Sequence, residues 1–298
     1  MIHQFQLSMR ELVDDAVDIV DVDSVSGGCI SDGYRVQTRS HDGALQRLFV
    51  KRNDESFVDN FRSEADGLAR LFATASIHVP EPIACGISDG KSWLVLPWIE
   101  QAHTTRGFFT TFGKQLATLH CDTLGDEIGG AKDNYLGASK QVNRSCTTWP
   151  EFVAARRIGV QLRQATDASL ADAQLVRDCE LIIKDIGNLL DGREEHTSLI
   201  HGDLWSGNYL CDSAGRPVLI DPAVYRGCRE AEFGMLLLFG SCPTDFYDSY
   251  LATWPMPSGW RRRAKIYILY HLLNHLNLFG SGYLGQCQSM AADILKQR

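Results

Sequence analysis

Apolar residues recur along this 298-residue chain with two periods, and the dominant period changes near Trp98. Before that point, short alternating runs predict β-strands at 20–26, 34–38 and 47–51, separated by Gly27-Gly28 and Asp42-Gly43. The second and third form a predicted hairpin. Helical spacing precedes them at 10–19 and returns at 57–73, where Phe57, Phe61, Leu68 and Leu71 share a face. Pro80 and Pro82 then impose an extended approach to two more strands, 83–87 and 92–97. Beyond Trp98 the pattern is mainly helical, at 105–120, 149–165, 170–190, 230–239, 246–253, 260–279 and 290–296. The expected fold is α+β: a five-stranded antiparallel sheet with one helix over residues 1–98, then a larger, mainly helical part over 99–298. No repeat or low-complexity linker separates them.

Strand-like sequence reappears only at 198–200, 209–211 and 218–220. These runs flank His201-Gly202-Asp203-Leu204-Trp205-Ser206-Gly207-Asn208, and Asp221 follows thirteen residues after Asn208. Asp and Asn in such loops often only cap turns, but type, order and flanking strands together point to phosphoryl transfer. That reaction asks a protein to position the acceptor, neutralise phosphates and hold a metal. Asp203 suits the base that accepts a hydroxyl proton, Asn208 and Asp221 suit magnesium ligands, and His201 suits support of the loop.

The same chemistry needs a cation on the phosphates of ATP. Lys51 lies on a predicted strand opposite in phase to Val50, and Glu64 lies on the next helix, where an ion pair would fix the ammonium. Upstream, Gly27, Gly28 and Cys29 open a turn through which backbone N–H groups can approach phosphate. Leu94-Val95-Leu96-Pro97-Trp98 joins the two parts, and Leu96 and Trp98 are candidate walls for adenine. Pro97 has no N–H, so a neighbour must supply any backbone donor.

Composition narrows the partners. A formal charge of −8 argues against nucleic acid or an anionic membrane as the main ligand, and no apolar run is long enough to span a bilayer. Arg261-Arg262-Arg263, the one basic run, reads as a solvated helix start. Nine cysteines without a C-x-x-C pair, and a first segment without an apolar signal core, predict a cytoplasmic protein with free thiols. A monomer or weak dimer is expected.

The chain resembles the fructosamine (ketosamine) kinase family, within the aminoglycoside phosphotransferase-like group of kinase-like enzymes, over nearly its whole length. The resemblance rests on Gly27-Gly28-Cys29-Ile30-Ser31, the 201–208 loop, Ile220-Asp221-Pro222-Ala223, Arg229-Glu230-Ala231 and Leu272-Leu273-Asn274-His275-Leu276-Asn277-Leu278-Phe279-Gly280. Trp205 and the Leu-Leu-Asn-His stretch point to this family rather than to kinases generally. It implies a two-lobed protein kinase-like fold, with a nucleotide-binding N-terminal lobe and a catalytic, acceptor-binding C-terminal lobe. The implied activity is ATP- and Mg2+-dependent phosphorylation of the 3-hydroxyl of a ketosamine sugar, followed by release of the amine, a deglycation. By the same resemblance Asp203 is the base, Asn208 and Asp221 are metal ligands, and Lys51 with Glu64 anchors phosphate.

Two positions depart from the family habit: Cys228 stands where histidine is usual, and Glu232 where an aspartate usually steadies the catalytic loop. Only seven residues separate Asp221 from Arg229, too few for a peptide-docking activation segment, so a small acceptor is expected. Trp205, His271, Asn274 and His275 are candidate acceptor contacts. The two histidines have a spacing that can bind zinc, but no third ligand or adjacent glutamate accompanies them. Cys29 is either a small buried thiol or a redox brake, and cysteines in this loop inhibit some family members. The alternatives are a kinase of another hydroxylated amine, such as an aminoglycoside, choline or an amino alcohol, and an idle nucleotide-binding scaffold.

Overall fold

A computed structural model describes residues 2–13, 18–25, 30–240 and 242–296. Gly27, Gly28 and Cys29, the glycine turn with its candidate redox thiol, lie outside the described residues. The chain divides into two compact units, Met1–Thr105 with Leu210–Asp221, and Arg106–Tyr209 with Pro222–Arg298.

The first unit holds α1 (Ile2–Leu12), β1 (Asp18–Val25), β2 (Asp32–Arg39), β3 (Leu45–Asp54), α2 (Val58–Phe72), β4 (Ala84–Ser88) and β5 (Lys91–Pro97). The five strands form one antiparallel sheet in the order β1-β2-β3-β5-β4. The sequence placed the first helix at 10–19; it lies earlier. Phe5 and Met9, four apart and fully buried, dock it on Tyr34, Val36 and Trp93, with the Phe5 ring 4.8 Å from that of Tyr34 and 5.0 Å from that of Trp93. Asp18 onward instead pairs as an edge strand with β2, and acidic residues on such an edge discourage pairing with another chain.

The remaining elements are α3 (Phe108–Asp122), β6 (Asn134–Leu136), β7 (Ser139–Gln141), α4 (Trp149–Phe152), a π-helical turn (Val153–Ile158), α5 (Gly159–Asp167), α6 (Ala173–Lys184), α7 (Ile186–Leu189), β8 (Ser198–Ile200), β9 (Tyr209–Cys211), β10 (Pro217–Leu219), β11 (Tyr225–Gly227), α8 (Phe233–Leu238), α9 (Thr244–Thr253), α10 (Trp260–Phe279) and α11 (Leu284–Leu295). β9 runs into the 210–221 segment of the first unit and pairs with β10. The core of the second unit surrounds α10, whose Leu269, Leu272, Leu273 and Leu276 join Leu175, Cys179 and Ile182 of α6 and Cys287 and Ala291 of α11. A helix apolar on nearly all sides must be central, and α10 is. The π-helical turn carries Arg157, whose buried guanidinium stacks between the rings of Phe152 and Tyr225, 4.4 and 4.1 Å from their centroids.

The Arg261–Arg263 run does start a helix, but it is not solvated throughout. Arg261 is exposed, whereas Arg263 is buried and grips Glu230 with two bonds of 2.7 and 2.6 Å. No described helix is long and apolar enough to cross a membrane. Because both charges of the Arg263–Glu230 pair are desolvated, removing one strands the other. Glu230→Leu is expected to cost about 3–5 kcal/mol, and adding Arg263→Met should recover most of it. Urea denaturation of the two variants checks this, and a double variant no more stable than the single one would contradict it.

Candidate active site

In the first unit, strand alternation buries Val50 completely and turns Lys51 to the opposite face of β3, in register with Gly33 on β2 and Leu94 on β5. α2 brings Glu64 to Lys51, and the ion pair expected from the sequence is present: Lys51 Nζ donates to Glu64 Oε1 at 2.8 Å. It also donates to Asp221 Oδ1 at 2.7 Å, a partner the sequence did not suggest. Burial works against the charge on Lys51, but the two carboxylates outweigh it and raise its pKa. Burial pushes Glu64 up to about 7, Lys51 opposing and Asp221 adding to the rise. One ammonium therefore faces two carboxylates, which leaves a surplus of negative charge. Asp221 itself sits in the left-handed region at φ +56°, an uncommon conformation for a non-glycine residue.

Leu96 is buried in β5 opposite Phe49 of β3. The Trp98 ring lies 6.4 Å from that of Phe49. The Trp98 N–H is already donated to the Arg47 carbonyl at 3.1 Å.

In the second unit the 201–208 loop leaves the fully buried β8, which pairs antiparallel with β11. Gly202 turns the chain at φ +82°, where a Cβ would stand 2.3 Å from the Ala223 carbonyl oxygen, so no larger residue fits. The N–H groups of His201 and Gly202 both point inward, and both are taken by the carboxylate of Glu232, at 2.5 and 3.0 Å. The longer side chain at this family-variant position still reaches the loop. Burial alone would raise the Glu232 pKa, but His120, His201 and the backbone bond together hold it below the usual glutamate value. His120 Nε2 lies 3.5 Å from Glu232, and its Nδ1 is 2.8 Å from the Tyr250 hydroxyl. Cys228, the other departure, is buried, and burial pushes its thiol up to about 12.

His201 is fully buried, and its Nδ1 accepts the Asp203 N–H at 3.3 Å. Asn208 donates its amide nitrogen to Asp203 twice, to the carbonyl at 2.8 Å and to the carboxylate Oδ2 at 3.1 Å. Those two bonds set the amide plane and leave its oxygen as the remaining polar atom. The Trp205 indole folds over Gly207, where a Cβ would come within 2.5 Å of the ring.

The other sequence candidates separate. His271 is buried with its pKa pushed down to about 3 by burial, with smaller contributions from His275 and Arg157. Asn274 is buried and accepts from Gln161 at 3.2 Å. Only His275 reaches the surface with Trp205, through the exposed Phe239. Among the described residues no group of three or more metal-type ligands is assembled.

Sequence reasoning missed a side-chain network beside the loop. Gln141 donates to the Ala223 carbonyl at 3.1 Å and to Asn134 at 2.8 Å, and accepts the Tyr270 hydroxyl at 2.8 Å. Asn134 holds the Val224 carbonyl at 2.9 Å, and Arg157 reaches Asn134 through Asn143. The Ala223 N–H meanwhile donates to the His201 carbonyl at 2.9 Å. The β6–β7 hairpin thus fastens the strand after Pro222 against the 201–208 loop.

Solved structures place this architecture among the kinase-like phosphotransferases. An aminoglycoside phosphotransferase crystallised with ADP and hygromycin B covers 93% of this chain and 95% of its own with a TM-score of 0.61, at 15% identity, a likeness of fold alone. A protein of Thermobifida fusca provisionally assigned as a fructosamine-3-kinase covers 97% of both chains with a TM-score of 0.83 at 31% identity. The model of the fructosamine kinase family matches residues 1–297. A Synechocystis protein named probable ketoamine kinase is 40% identical over 92% of this chain and 90% of its own. A rice chloroplastic protein-ribulosamine 3-kinase is 36% identical over 94% of this chain and 80% of its own. The chain belongs to the fructosamine kinase family.

The depressed pKa of Glu232 fixes a pH dependence. A carboxylate stabilised in the folded state contributes fully above its unfolded pKa, near 4.5, and the contribution is lost as pH falls through the lower folded value. Glu232→Gln should therefore be less stable than the wild type by about 1.5–3 kcal/mol at pH 7, with the gap closing below pH 4.5. Denaturation at a series of pH values measures it; a gap independent of pH would mean the charge is not what holds the loop.

Proposed function

We propose that this chain uses ATP to phosphorylate the 3-hydroxyl of the sugar in a ketosamine, a fructosamine or ribulosamine adduct, after which the adduct releases its amine. The reading rests on the match to the fructosamine kinase family along the chain and on relatives named ketoamine kinase and protein-ribulosamine 3-kinase. The local chemistry agrees with it. Asp203 accepts a hydrogen bond from the acceptor hydroxyl and takes its proton as the new oxygen–phosphorus bond forms. The Asn208 amide, which donates to Asp203 Oδ2, and the His201 ring, which accepts the Asp203 backbone N–H, hold Asp203 in place. Glu232 fixes the start of the loop, so the base does not have to be ordered during the reaction.

Lys51, steadied by Glu64, would hold the α and β phosphates of ATP. The Asn208 amide oxygen and the Asp221 carboxylate would hold Mg2+, and the surplus of two carboxylates over one ammonium suits a cation. When bound, Mg2+ supplies neutralisation of the phosphate charge. With the Trp98 N–H spent on Arg47 and Pro97 without one, any backbone donor to adenine comes from beyond Trp98.

Incubation with Mg-ATP and a panel of fructosyl-lysine, ribulosyl-lysine, aminoglycosides and choline tests the substrate, with ADP release expected only for the ketosamines. Faster release with choline or an aminoglycoside would move the assignment to another amine. Asp203→Asn should lower kcat by roughly 10^2–10^4-fold while the Kd for ATP is nearly unchanged. Wild-type turnover in that variant would remove Asp203 from the proton transfer.

A further inference from the structure

Beside the loop, four separate segments of the second unit contribute to one chain of rings. Trp205 lies 5.4 Å from Phe239, Phe239 lies 5.5 Å from His275, and His275 lies 5.5 Å from Phe279 and 5.2 Å from Tyr283. Phe239, just past the end of α8, is 41% exposed, and Phe279, at the end of α10, is 56% exposed. Two large apolar rings left that open, tied by tilted ring contacts to a tryptophan two residues from Asp203, are more than scattered surface hydrophobics. The linking ring is uncharged at neutral pH. Burial lowers the His275 pKa, the opposing backbone bond being smaller, and its Nδ1 donates to the His271 carbonyl at 2.8 Å. The guanidinium–ring contacts among the described residues lie on other rings.

We infer that Phe239, Phe279 and Tyr283, continuing from Trp205 through His275, form a subsite for the amine carrier of the acceptor: the secondary ammonium and methylene chain of a glycated lysine. The inference rests on the ketosamine reading above. In such an adduct the nitrogen sits on the carbon next but one to the reacting C3, so an acceptor whose hydroxyl meets Asp203 directs its nitrogen and carrier away along neighbouring surface. Aromatic faces attract a protonated amine, and their apolar bodies cover the methylenes. The rings carry no charge of their own, and the chain's net charge of −8 favours a cation over an anionic carrier. The occupant is therefore an alkyl ammonium arm rather than a phosphate.

The experiment compares two adducts of the same ketose, one on methylamine and one on the Nε of Nα-acetyl-lysine, by kcat/KM. The wild type should prefer the lysine adduct. Both adducts carry the secondary ammonium, so the preference reads the methylene chain: Phe239→Ala/Phe279→Ala should lower it about tenfold, chiefly through KM for the lysine adduct, the size expected for uncovering about two methylenes. Phe239→Trp on the Phe279→Ala background should restore part of it. A preference unchanged within about twofold in the double variant would overturn the subsite. So would a wild-type dimer in sedimentation that the double variant converts to monomer without altering the preference, since the rings would then be a self-association surface. A wild type inert toward both adducts yet active on another acceptor would overturn the ketosamine reading itself, a different result from an unmoved preference.

Discussion

Two backbone N–H groups, those of His201 and Gly202, point into the protein at the place where the chain leaves β8, and one buried carboxylate answers both. Without it the loop would begin with two unsatisfied donors in a dry interior, a cost comparable to the stability of many small domains. Everything downstream inherits that anchor. Gly202 can turn because its partner bond is made, Asp203 follows in place, and Asn208 then ties the loop to itself through the Asp203 carbonyl and carboxylate. On the far side the Ala223 N–H returns to His201, and Gln141 and Asn134 take the next two carbonyls. A rigidly held Asp203 is thus assembled from one anchoring carboxylate and a handful of amides, with no long strand required.

The first unit solves a different problem. Its sheet puts Lys51 in a poorly hydrated position and then compensates it twice, with Glu64 from α2 and Asp221 from the returning segment. A balanced pair would need only one carboxylate. The second leaves the group with one carboxyl more than its ammonium balances.

The parts of this picture legible in the sequence are those written in local spacing. The five strands and the helix behind them follow from short-range alternation, and α10 from a long apolar period with residues to match at both ends. The 201–208 loop was readable because its residue types recur at fixed separations. The misplaced first helix shows the limit: Phe5 and Met9 are its only fully buried apolar residues, too few to dominate a window rich in polar residues. The β6–β7 hairpin gave no signal at all, since three-residue strands have no period, and Gln141 and Asn134 find their backbone partners 82 and 90 residues away. The same holds for the ring chain, whose members are separated by more than thirty residues between Trp205 and Phe239 and again between Phe239 and His275. Arg263 looked solvated because its partner, Glu230, is fixed only by the tertiary fold.

The doubly compensated lysine has one more consequence. Reducing sugars attach to amines only in the unprotonated form, through the nitrogen lone pair. Lys51, buried and flanked by two carboxylates, has its pKa raised, and so offers almost no lone pair at neutral pH. An enzyme that meets sugar-modified amines as substrates works in a milieu where its own lysines are exposed to the same modification. The ion triad that holds Lys51 therefore also shields it chemically: the lysine proposed to meet phosphate is among the least reactive toward sugars.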